Sequence, residues 1–150
     1  IVPYVMNKEE LTVNEVNSML NKHSGLLAIS GISSDMREIT EGMEKGEANS
    51  TLAFEMYEYR LRKYIGSYAA AMNGVDVIVF TAGVGENSIV LRKRVLEQLT
   101  FLGIELDESL NAIRSGEIRR ITTANSKVEV LIIPTNEELV IARDTFRLVQ

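Results

Sequence analysis

The chain has 150 residues, 45% of them hydrophobic, and 16 Lys and Arg against 21 Asp and Glu leave a formal net charge of −5. That is one ordinary domain's length, with enough apolar content to bury a core and too little proline for a disordered or fibrous chain. The acidic balance argues against a nucleic-acid partner, although basic residues gather at Arg92, Lys93, Arg94, Arg114, Arg119 and Arg120, and the lack of cysteine excludes disulfides, thiolate catalysis and zinc-thiolate sites.

The longest nearly apolar run, residues 75–82, contains Asp76 and is too short to cross a bilayer, so no membrane partner is expected. No basic region followed by an apolar stretch opens the chain. With the missing cysteines, this predicts a cytoplasmic protein. The apolar phrase Ile1-Val2-Pro3-Tyr4 reads as the edge of an excised piece. Neither a repeat nor a Gly/Ser/Pro linker divides the chain, which predicts one unit.

A helix is expected over residues 11–22, and His23, the one histidine, reads as part of its solvated end rather than as a catalytic group. Leu26-Leu27-Ala28-Ile29 reads as a short strand before a Gly/Ser turn. That turn, Ser30-Gly31-Ile32-Ser33-Ser34-Asp35-Met36-Arg37-Glu38, opens a helix-permissive stretch. Ser33, Ser34 or Asp35 can cap it, with Glu38 completing a capping box if Asp35 is the cap. Arg37 brings a planar, permanently charged fork able to stack on a purine or grip a phosphate.

Across residues 49–73, Phe54, Tyr57, Leu61, Tyr64, Ile65, Tyr68 and Met72 recur at steps of three and four. This predicts a long helix with one apolar stripe, ending at Asn73-Gly74. The stripe is assigned to core packing, although a tyrosine-lined cleft would show the same spacing.

Residues 75–80 form the best candidate for a buried strand. They run into Thr81-Ala82-Gly83-Val84-Gly85-Glu86-Asn87-Ser88, where two closely spaced glycines permit sharp turning and close approach to a ligand. Asn87 or Ser88 can cap a helix over residues 88–101. The pattern suits a nucleotide-contact turn and equally an ordinary strand-to-helix turn. Gly83-x-Gly85-x-x-Ser88, with Glu105 beyond it, also approaches the dinucleotide fingerprint of an NAD-dependent oxidoreductase. Glu86 and Asn87 would crowd a pyrophosphate docked there, which counts against that reading.

Residues 128–133 are another candidate for a buried strand, stopped by Pro134 and followed by a helix over 139–148. Thr135 and Glu138 have capping-box spacing. Glu137 is then left at the helix start, either as a simple dipole-stabilising acid or as a ligand for Mg²⁺ together with phosphate oxygens. Three strand-turn-helix units in series predict an α/β or layered α+β domain whose ligands bind outside the carboxyl ends of its strands.

The phrases SGISSDMRE, FTAGVGENS and IIPTNEEL, in this order and at these intervals, together resemble the C-terminal half of acetate kinases and the similar propionate kinases. IVPYVMNKEEL, LNKHSGLL and EELVIARDT extend the resemblance over essentially the whole chain. It implies the two-domain ribonuclease H-like ATPase architecture shared with sugar kinases, actin and heat-shock chaperones, a mixed sheet with flanking helices. Residues 1–150 would be its C-terminal nucleotide-binding domain, the N-terminal domain lying outside this sequence.

The implied reaction is reversible phosphoryl transfer from ATP to acetate, giving acetyl phosphate and ADP. The resemblance places Asp35, Met36, Arg37, Gly83, Val84, Gly85, Glu86 and Asn87 around the nucleotide and makes Glu137 the Mg²⁺-associated acid. It also implies a homodimer, in which part of the 49–73 stripe can be buried against the partner copy. The groups that hold acetate and the transferring phosphoryl lie upstream in this family, so no catalytic residue is assigned here and the isolated chain is expected to be inactive. The alternatives are a stand-alone adenine nucleotide and Mg²⁺ module without catalysis, and propionate as the acyl substrate.

Overall fold

The computed structural model describes residues 1–150, and the chain divides into two units, Ile1–Arg60 and Leu61–Gln150. The boundary falls inside a helix, which is why no linker composition marks it.

The first unit is helical, built from α1 (Val2–Lys8), α2 (Val13–Lys22), α3 (Gly25–Ser30), α4 (Met36–Glu44) and the opening turns of α5 (Ala48–Ala71). Pro3 occupies the first turn of α1, where a missing N–H costs nothing. Thr12 and Glu15 cap α2 reciprocally: the Glu15 amide donates to Thr12 Oγ1 at 3.3 Å and the Thr12 amide donates to Glu15 Oε2 at 2.8 Å. Val16, Met36, Ile39, Ala53 and Phe54 are buried.

Residues 26–29 are not the strand their composition suggests; they lie within α3. Four apolar residues fit a strand or one helical turn equally well, and this unit contains no strand for them to pair with. The helix stops at Gly31, whose φ of 72° supplies the left-handed cap, its amide donating to the Leu27 carbonyl. Two strand-turn-helix units are therefore present rather than three.

The second unit holds the rest of α5, then β1 (Val77–Phe80), α6 (Ala82–Asn87), α7 (Ile89–Glu97), α8 (Glu108–Ala112), β2 (Arg119–Arg120), β3 (Glu129–Ile132) and α9 (Glu137–Val149). The sheet order is β1-β3-β2, with β1 and β3 parallel and β2 antiparallel to β3. Val77 pairs with Glu129 and Phe80 with Ile132, so the two parallel strands end side by side. Ile78, Phe80, Val130 and Ile132 are buried, as are Leu91, Val95, Leu96 and Leu99. The other face of β1 is open: Val77 and Val79 are 44% and 46% exposed, although the apolar run reads as a strand covered on both sides. The helix predicted over residues 88–101 stops at Glu97, and a 3₁₀ turn, Thr100–Leu102, follows it.

Core packing accounts for only part of the α5 stripe. Phe54 is fully buried, but Tyr64, Tyr68 and Met72 are 52–64% exposed, with the two tyrosine rings stacked at 6.5 Å. No helix is long and apolar enough to cross a membrane.

Candidate functional site

The turn before α4 is built by short polar side chains. Buried Ser30 donates from Oγ to the Ser33 carbonyl at 2.9 Å and accepts from the Ile32 and Ser33 amides. Ser33 Oγ accepts from the Asp35 amide at 2.9 Å. Asp35 is the cap of α4, accepting from the Arg37 amide at 2.8 Å; its partner is that amide, so no capping box with Glu38 forms. The Arg37 guanidinium folds back on the same carboxylate, Nη2 donating to Oδ2 at 2.6 Å and Nε donating to Oδ1 at 3.1 Å. These bonds, the side-chain ones first, hold the Asp35 pKa down to about 2. One edge of the Arg37 fork is thus engaged, while its side chain stays 88% exposed and offers its planar faces. Met36 is buried.

In the second unit, the turns after β1 and β3 are neighbours because the strands are. The Ile133 amide donates to the Phe80 carbonyl at 2.9 Å, and beyond it Pro134 has no N–H with which to continue. The first turn forms α6. Its left-handed residue is Ala82, φ 58°, and neither glycine of the pair has a positive φ. Gly85 is needed for a different reason, since a Cβ there would stand 3.3 Å from the Phe80 carbonyl carbon. Asn87 Nδ2 donates to the Gly83 carbonyl at 2.8 Å, and Ser88 caps α7 by accepting from the Leu91 amide.

Glu86 faces the other turn. Its Oε1 accepts from the Thr135 amide at 2.8 Å and from Thr135 Oγ1 at 2.6 Å. These two bonds are the main reason its carboxyl is held below the usual carboxylate range, with the Ala82 amide and Arg119 as smaller contributors. Thr135 is therefore not the cap of α9. That role falls to Asn136, whose Oδ1 accepts from the Leu139 amide at 2.9 Å, and the capping box with Glu138 does not form. Glu137 is the first residue of α9, and its exposed carboxylate makes no hydrogen bond or ion pair.

Arg92 carries a role beyond the basic cluster in which its sequence neighbours place it. It is completely buried and donates to four neutral acceptors: Asn111 Oδ1 at 2.7 Å, the Gly85 carbonyl at 2.8 Å, the Glu86 carbonyl at 2.9 Å and the Asn111 carbonyl at 3.0 Å. Burial pushes its pKa down to about 10, with repulsion from Arg119 and then Arg114 adding to the effect. Asn111 Nδ2 in turn donates to the Ile89 carbonyl at 3.1 Å. The signal was available: Arg92 lies on the stripe of Leu91, Val95, Leu96 and Leu99, where a charge must find internal partners. Asn111 gave no comparable signal.

No group of three or more His, Asp or Glu side chains is arranged to hold a metal ion. The fit to Mg²⁺ is of another kind: one acid without a protein partner beside a strand end, suited to an ion whose remaining ligands are phosphate oxygens and water. Asp35, Met36 and Arg37 belong to the first unit and residues 83–87 with Glu137 to the second, where Glu86, Thr135, Asn136 and Glu137 are drawn together.

The sequence matches the Acetokinase family over residues 1–143. It is 59% identical over its whole length to an acetate kinase of Symbiobacterium thermophilum, and 53% identical over 97% of its length to one of Methanosarcina acetivorans. The chain spans 37% and 35% of those relatives. Among solved structures, acetate kinase of Porphyromonas gingivalis superposes on 99% of the chain with a TM-score of 0.87 and 44% identity, the chain covering 37% of that protein. A propionate kinase of Francisella tularensis superposes on 93% with a TM-score of 0.81 and 38% identity, the chain covering 35% of it.

Proposed function

Because the chain belongs to the acetokinase family, we propose that it is the C-terminal, nucleotide-binding part of an acetate kinase that transfers phosphoryl reversibly between ATP and acetate. The observation that carries the proposal is the tie between the two turns the motifs single out. They leave neighbouring parallel strands at the same end and are joined through Glu86 and Thr135, with Glu137 left free beside the junction. An α/β fold places a nucleotide at such an end, where backbone turns approach the phosphates.

In this reading the exposed Arg37 plane stacks on the base. Stacking is preferred to gripping phosphate because Asp35 already occupies one edge of the fork. The backbone of residues 83–87 lies along the phosphates, with open space at the Cβ-free position of Gly83 and Gly85 set against the Phe80 backbone. Glu137 holds Mg²⁺, which when bound neutralises charge on the transferring phosphoryl group. Chemistry at the acyl group falls to residues outside this chain, and the isolated chain is expected to form no acetyl phosphate. Trapping of acetyl hydroxamate above a boiled control, from the chain alone, would overturn that expectation. The match to a propionate kinase leaves propionate as the second reading of the acyl substrate.

Calorimetric titration of the full-length protein with Mg²⁺-ADP tests the assignment. Arg37→Ala is expected to weaken binding about tenfold or more, the upper range of a cation-π or stacking contact of about 1–2 kcal/mol, with an unchanged melting curve. Unchanged affinity counts against the site. Saturable NADH binding would favour the oxidoreductase reading instead.

A further inference from the structure

Resting on the assignment of Glu137 to Mg²⁺, we infer that Glu86 and Thr135 are positioning residues: their side chains clasp the turn after β1 to the turn after β3 and thereby set where Glu137 stands. Direct contact between Glu86 and the nucleotide is then not its role.

The geometry explains why such a clasp is needed. The backbone ladder between the strands ends at Ile133, and Pro134 cannot extend it. Thr135 makes the next cross-connection, and it does so with both donors it has, backbone and hydroxyl, onto one carboxylate oxygen. Asn136 follows at once as the cap of α9, and Glu137 is the next residue. The Glu137 carboxylate has no partner of its own, so its position is inherited from this backbone. At the other end of the clasp the Glu86 carbonyl accepts from buried Arg92, which fixes the main chain from which its side chain projects. The tether therefore runs from the core of the second unit, through Arg92 and Glu86, to the turn that carries Glu137.

The test uses the full-length protein. Thr135→Val removes the hydroxyl donor while keeping its shape, Thr135→Ser restores it, Glu86→Ala removes the acceptor, and Glu137→Gln reports on the metal site itself. Two quantities are read: Mn²⁺ affinity in the presence of ADP by electron paramagnetic resonance, and kcat and nucleotide KM against Mg²⁺ concentration. Thr135→Val and Glu86→Ala are expected to weaken Mn²⁺ binding about tenfold, the lower end of what groups orienting a ligand contribute. Thr135→Ser should bind as wild type, and Glu86→Ala combined with Thr135→Val should bind no more weakly than Glu86→Ala alone.

A lowered melting temperature with unchanged Mn²⁺ affinity in Thr135→Val and Glu86→Ala would show a merely structural role and overturn the inference. If Glu137→Gln weakens Mn²⁺ binding while those two variants do not, the clasp is refuted and the Glu137 assignment stands. If Glu137→Gln leaves Mn²⁺ affinity unchanged, the metal assignment falls and the clasp's purpose falls with it.

Discussion

Replacing Arg92 by Met removes a buried cation at nearly constant volume and leaves four acceptors behind. The Gly85 and Glu86 carbonyls lie at a partly buried turn and can turn to water. The two Asn111 acceptors are buried and cannot. At about 1–3 kcal/mol for each buried group left unsatisfied, the loss is about 2–6 kcal/mol. Escaping the desolvation and the Arg119 and Arg114 repulsion that push the Arg92 pKa down offsets part of this, which places the net loss at the lower end of the range. At about 2–4 °C per kcal/mol, a net loss of about 2 kcal/mol lowers the melting temperature by about 4–8 °C. Thermal unfolding followed by circular dichroism in the full-length protein reads this directly. Arg92→Met/Asn111→Leu should be no less stable than Arg92→Met, because removing both partners removes the orphaned side-chain acceptor. A fall of less than about 3 °C for Arg92→Met, or additive losses in the double variant, refutes the view that this network holds the turn.

Gly85→Ala should destabilise by about 1–3 kcal/mol, because the new Cβ presses on the backbone of Phe80 rather than on a side chain that can move; an unchanged urea midpoint would contradict the close approach. Ala82→Gly should be neutral or stabilising by up to about 1.5 kcal/mol, since glycine relieves a left-handed cost of roughly 1–2 kcal/mol against an entropic penalty of roughly 0.5–1 kcal/mol. A clear loss in chemical denaturation would count against the φ at that residue. The folded-state pKa of Asp35 is depressed from 3.8 to about 2, so its contribution is present above about pH 4 and is lost as pH falls toward 2. The stability gap between wild type and Asp35→Asn should therefore close over that window, and a gap that persists at pH 2 argues against the Arg37 pairing.

Much of the architecture follows from neighbours along the chain. The β-branched runs at residues 75–80 and 128–133, the stop at Pro134, the cap at Ser88 and the 3.6-residue spacing of α5 each express a preference settled within a few residues. Where a preference was shared by two structures, as at residues 26–29, short-range pattern could not decide, and the absence of a neighbouring strand did.

What only the tertiary structure decided is which groups complete one another. Thr135 had the spacing of a helix cap, yet its donors went to Glu86, 49 residues earlier in the chain. Arg92 read as one of a cluster of basic residues, yet it is buried against Asn111, 19 residues away. The first outcome depends on the parallel register of β1 with β3, and the second on the approach of α7 to α8. A buried or turn-bound polar group takes whichever partner the assembled fold brings within about 3 Å, and sequence spacing measures distance along the chain rather than through the protein.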